Sequence, residues 1–148
     1  MSIWWSLHLR REAASVPLAR RLLLGTMETA GVDPDVSYDL SVALSEACAN
    51  AVEHGGDAAR GAYSEAYRVT AYLDGEKCRI EVTDSGPGIS GTAPVRPART
   101  DAEHGRGLCL IQALADHVHI GDKPGRGGTV VSFDKILKWR EDAPLMAV

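Results

Sequence analysis

At 148 residues the chain suits one domain, long enough to bury roughly two thirds of its unfolded surface without metal or disulfide staples. Its 16 basic and 20 acidic residues give a net charge of -4 with no Lys or Arg stripe, which argues against nucleic acid as a partner. Cys48, Cys78 and Cys109 lie far apart without metal-ligand spacing and read as reduced packing residues, and no apolar run reaches membrane-spanning length, so a soluble, cytoplasmic protein is expected.

Ile3 to Arg10 alternates, with Ile3, Trp5, Leu7 and Leu9 on one side, and predicts a half-buried strand. Ser15 before Val16-Pro17 reads as an N-cap, and Leu18, Leu22 and Met27 mark the apolar side of a helix over 15–30 that stops at Gly31. Asp33-Pro34-Asp35 starts a second helix. Its stripe is Val36, Leu40, Leu44, Ala47 and Ala51, and Gly55-Gly56 ends it.

After a polar loop, Tyr67 to Leu73 and Lys77 to Thr83 read as strands of a hairpin turning at Asp74-Gly75. The stretch from Ser90 to Glu103, rich in Pro, Arg, Thr and Ala, has no periodicity and predicts a loop. Leu108, Leu110, Ile111 and Leu114 mark a third helix to about Asp116, followed by strands at Val118 to Gly121 and Thr129 to Phe133. Residues 135–148 form a tail with room for a helical turn. Five strands with three helices on one face make an α+β two-layer sandwich, with a core over about 7–134 and no linker dividing the chain.

Glu46, Asn50 and His54 fall four apart near the end of the second helix, so a carboxylate, an amide and an imidazole share one face. Solvation of that face and contact with a polar ligand both satisfy these groups. Three later segments bear on the choice. In Asp84-Ser85-Gly86-Pro87-Gly88 an acid at a strand end precedes glycines that let backbone approach a flat ligand, and such an acid accepts a hydrogen bond from an exocyclic amine. Gly105-Arg106-Gly107 opens a helix, where free N–H groups and the macrodipole favour phosphate. Gly128-Thr129 starts the last strand and offers a hydroxyl. Each segment also fits an ordinary turn.

In this order the segments resemble the Bergerat-fold (GHKL) ATPases: Ser45 to His54 looks like the N-box, Asp84 to Gly88 and His104 to Leu108 the two glycine boxes, and Gly128-Thr129 the terminal Gly-Thr. Ala14-Ser15-Val16-Pro17, Ala19-Arg20-Arg21-Leu22 and Gly107 to Leu114 are similar to one branch, the anti-sigma-factor serine kinases of bacterial partner switching. The resemblance implies a mixed, mostly antiparallel sheet covered by three helices, and ATP and Mg²⁺ as cofactors. Asn50 would be the metal ligand and Glu46 the general base toward a hydroxyl, since histidine kinases usually carry Asn at that place. Asp84 would take the adenine amine, with Gly86, Gly88 and Thr129 around it, while His54, Gly105, Arg106, Gly107 and Leu108 belong to the phosphate end. The implied partners are a STAS-domain antagonist and a sigma factor, with the kinase a homodimer. The competing reading is a nucleotide-dependent binding module that sequesters partners without phosphoryl transfer.

Overall fold

The computed structural model describes residues 2–54, 66–84, 107–122, 128–141 and 143, the side chains of His54 and Asp122 excepted. In chain order these form β1 (Ile3–Arg10), α1 (Ser15–Ala30), α2 (Pro34–His54), β2 (Ala66–Leu73) and β3 (Lys77–Asp84), then α3 (107–114), β4 (His117–Asp122) and β5 (Thr129–Ile136). The sheet order is β1-β2-β3-β5-β4. A mixed sheet is expected from the resemblance, but all four pairings of the described strands are antiparallel.

Strand alternation decides which residues face the helices. Leu9, Tyr67, Val69, Ala71, Leu73, Cys78, Ile80, Val82, Val131 and Phe133 are buried, and they join Leu40, Leu44 and Cys48 of α2 and Ile111 of α3 in a continuous core. The two neighbouring tryptophans therefore part: Trp5 points inward and donates from Nε1 to Thr26 Oγ1 on α1 (3.1 Å), whereas Trp4 is 65% exposed. The α2 stripe lies where the sequence puts it, with Val36, Leu40, Leu44, Ala47 and Ala51 all buried.

Several local expectations are corrected. Ser15 is the first residue of α1 and Ala14 its cap, without a side-chain cap bond; the Ser15 hydroxyl instead donates to the Glu12 carbonyl (2.7 Å). The buried side of α1 is Ala19, Leu23 and Met27, while Leu18 and Leu22 are exposed. The run Leu22-Leu23-Leu24 satisfies several phases, and packing favours the one in which small Ala19 lets the helix approach its neighbours. Leu110 and Cys109 are exposed on α3, so Cys109 is no packing residue.

The tail begins as sheet rather than helix, because β5 continues to Ile136. Residues 137–140 then form an extended strap across the end of the sheet where β2 turns into β3. Leu137 N donates to Glu76 O (2.9 Å), Trp139 Nε1 to Gly75 O (3.1 Å) and Asp33 N to Lys138 O (2.8 Å). Trp139 also bridges Val32, and Arg140 N donates to Gly31 O (2.8 Å). Gly31, with φ 92°, is the left-handed residue that ends α1 and returns its N–H to Met27 O and Glu28 O. No helix among the described residues is long and apolar enough to cross a membrane.

Candidate nucleotide site

The opposite end of the sheet collects the candidate residues. Pro34 opens α2, with Asp33 Oδ1 accepting the Asp35 N–H (2.8 Å) before it, and the helix runs without a break to His54. Glu46 and Asn50 therefore sit one turn apart on its last part, both half-buried. Gly107, the first described residue of α3, packs directly on that face: a Cβ there would lie 3.4 Å from Glu46 Oε2 and 3.4 Å from Asn50 Oδ1. The start of one helix thus rests on the polar stripe of another.

Asn50 Nδ2 is buried and has no hydrogen-bond partner among the described residues. Leaving such a donor unpaired costs about 1–3 kcal/mol, so a face built this way is completed by something else. The two ends of an amide exchange places by a half-turn of the side chain, so the same position presents N–H to a phosphate oxygen or an oxygen to a metal. Mg²⁺ takes few protein ligands beside waters and phosphate. The donor set and the close-packed glycine fit a metal-bound nucleotide phosphate.

At the end of β3, Asp84 Oδ1 accepts the Thr129 N–H (3.1 Å). Gly128, with φ 107°, turns the chain so that the first residue of β5 faces the acid. Asp84 and Thr129, which the resemblance puts at one end of the site, are thus neighbours through the threonine backbone N–H.

Tyr67 ties this acid to α2. It is the register partner of Asp84 across β2 and β3, and its hydroxyl bonds Cys48, which lies on α2 between Glu46 and Asn50. The same hydroxyl meets Ser15 Oγ. Ser15 gives its proton to the Glu12 carbonyl, so the Tyr67 O–H donates to Ser15. Burial pushes the Cys48 thiol up to about 12, against the opposing effect of the Tyr67 hydrogen bond, and raises Tyr67 above its ordinary value. Both stay neutral and act as struts. Motif reading passes over this pair; the inward alternation of β2 was the signal that could have found Tyr67.

Of the remaining candidates, Leu108 packs against the core and Thr129 is half-buried. Gly86, Gly88, Gly105, Arg106 and the His54 side chain lie outside the described residues, as do the loop over Ser90 to Glu103 and the turn from Pro124 to Gly127.

The sequence profile of the histidine kinase-like ATPase domain matches residues 9–135. The chain is 30% identical over 115 residues to the anti-sigma F factor of Thermoanaerobacter sp., an alignment covering 73% of this chain and 77% of that protein. It is 31% identical over 131 residues to the serine-protein kinase RsbW of Bacillus licheniformis, covering 82% and 78%. Among solved structures, the RsbU and RsbW domains of Rv1364c from Mycobacterium tuberculosis superpose with a TM-score of 0.62 at 23% identity, covering 90% of this chain and 33% of that longer one. That likeness concerns the fold.

Proposed function

The chain belongs to the histidine kinase-like ATPase domain family, in its anti-sigma-factor serine kinase branch, and from this premise we propose that it is a Mg·ATP-dependent protein serine kinase. Its substrate is a STAS-type antagonist of an anti-sigma factor, and its second partner a sigma factor that it holds while the antagonist is phosphorylated. A cytoplasmic homodimer is the form in which we expect it to act.

The observation that carries this reading is the packing of Gly107 on Glu46 and Asn50, with a buried amide nitrogen lacking a partner among the described residues. Bound Mg·ATP supplies the phosphoryl group and the charge that neutralises it in transfer. Asn50 would hold the metal through its amide. Glu46, one turn earlier, orients the serine hydroxyl and takes its proton on a carboxylate oxygen. Asp84, which holds the Thr129 N–H, would accept from the adenine amine, with Gly86, Gly88 and Thr129 as the further adenine-end residues that the resemblance implies. As the family resemblance implies, Gly105, Arg106, Gly107, Leu108 and His54 would meet the phosphates.

Incubation with labelled ATP, Mg²⁺ and a purified STAS-type antagonist tests this. Serine phosphorylation is expected, and Glu46→Gln should slow it by about 10²-fold while ATP stays bound, the scale of a lost general base. ATP binding without phosphoryl transfer would leave the binding module as the function.

A further inference from the structure

We propose that Arg11 is a positioning residue for Asn50, an inference that rests on the nucleotide site described above. Arg11 follows directly on β1, and its guanidinium spans to the end of α2: Nε donates to Ala51 O (3.0 Å) and Nη2 to Val52 O. With α2 ending at His54, these carbonyls belong to its last turn, and no intrahelical N–H among the described residues receives them. A cation at a helix C-terminus meets the negative end of the macrodipole, and bonds from a charged donor are about twice as strong as neutral ones.

Two adjacent carbonyls held by one rigid fork fix the rotation of the turn as well as its position. Asn50 is the residue immediately before them, so the direction of its amide depends on that turn. Arg11 is itself held from behind. Glu12 N donates to Arg10 O (2.8 Å), and Ser15 N and Oγ both donate to Glu12 O, which anchors the connection between β1 and α1. Ser15 in turn meets Tyr67, the register partner of Asp84. Strand pairing and hydrogen bonds therefore connect the strand position of Asp84, through Tyr67, Ser15 and Glu12, to Arg11 and the turn that follows Asn50.

A residue that only stabilised the fold would weaken every ligand contact alike. A positioning residue for the metal ligand acts on the metal-dependent part of binding. The test compares the full chain with Arg11→Met and Arg11→Lys, measuring ATP affinity by calorimetry with and without Mg²⁺, and amide hydrogen exchange along α2. In Arg11→Met the gain in ATP affinity from Mg²⁺ should fall by about tenfold, the low end for loss of a group that supports a metal ligand, with Mg²⁺-free affinity within about twofold. Exchange at residues 51–54 should quicken by about tenfold while that of Leu40 to Leu44 stays put. Arg11→Lys, which keeps the charge but not the fork, should recover part of both effects and serves where Arg11→Met fails to fold.

Equal loss of affinity with and without Mg²⁺, or unchanged exchange in the last turn, overturns the proposal. Failure of the unaltered chain to bind ATP would overturn the nucleotide reading instead, and exchange in the last turn would still decide whether Arg11 holds it.

Discussion

Gly107 stands so close to Asn50 that a Cβ added to it would lie 3.4 Å from the amide oxygen and 3.5 Å from the amide nitrogen. Among the described glycines only Gly31 and Gly128 have positive φ, so Gly107 meets no unusual backbone demand, and a Cβ there would just touch the Asn50 and Glu46 side chains. Gly107→Ala should leave the fold within about 1 kcal/mol of the original, since its Cβ fits in ordinary contact, while weakening ATP binding by filling the space beside the Asn50 amide. Gly107→Val should cost about 1–3 kcal/mol by overpacking and abolish measurable binding. Thermal melts and ATP titration check both; full affinity in the valine variant would show that the contact with Asn50 is not part of the site.

Asn50 gives a sharper separation of stability from function. Its buried Nδ2 lacks a partner among the described residues, so replacing it with an apolar side chain of similar size removes a penalty. Asn50→Leu should raise the ligand-free stability by about 1 kcal/mol, or roughly 2–4 °C in Tm for a chain of this size, while eliminating Mg²⁺-dependent ATP binding. A fall in Tm would mean that the amide is satisfied in the free protein.

The three thiols should react in two classes. Cys48 and Cys78 are fully buried, and burial raises both to about 12, Cys78 further by the nearby charges of Asp134 and Asp74. At pH 8 the thiolate fraction of such groups is on the order of 10⁻⁴, whereas exposed Cys109 is open to reagent. Native protein should take up one equivalent of a thiol reagent, located at Cys109 by peptide mapping, and the other two only after unfolding. Fast labelling of Cys48 would contradict the strut formed with Tyr67.

Asp134, on the sheet face turned away from the helices, links Arg79 of β3 (3.4 Å) to His117 of β4 (3.0 Å). Partial burial works to raise its pKa, but the hydrogen bonds and charges of His117 and Arg79 outweigh burial and hold it below the ordinary carboxylate value. A lowered native pKa contributes stability above the unfolded value near 3.9, and that contribution is lost as pH falls through the native one. Asp134→Asn should cost no more than about 1 kcal/mol at pH 7, because Arg79 and His117 are well exposed. Urea unfolding should show the difference shrinking between pH 4 and the onset of acid unfolding; a difference independent of pH would remove the ion pairs from the account.

The parts of this molecule that could be read in advance are those where one strong local signal has a single solution. Asp33-Pro34 fixes the start of α2, and its apolar stripe leaves Glu46 and Asn50 along the stripe's flank. Asp74 was legible for the same reason: its carboxylate accepts the Glu76 and Lys77 N–H groups (2.8 and 2.9 Å) and sets the hairpin. Where a segment offers two solutions, tertiary packing chose. The leucines of α1 fit several phases, and the Ser15 hydroxyl, which looks like a cap, found the Glu12 carbonyl and Tyr67 instead. The bonds of Arg11 to the end of α2 join residues 40 and 41 positions apart, and no local pattern encodes such a pairing.

The strap over residues 137–140 lies beyond the 9–135 stretch that the chain shares with its family. It stitches the β2–β3 turn to the junction between α1 and α2, at the end of the sheet away from Asn50 and Asp84. For inheritance this makes the two ends of the molecule separable. Substitutions at Trp139 or Arg140 tune how firmly the sheet closes without altering the groups that meet a nucleotide. Selection can therefore adjust the durability of this protein at one end while chemistry at the other is held constant.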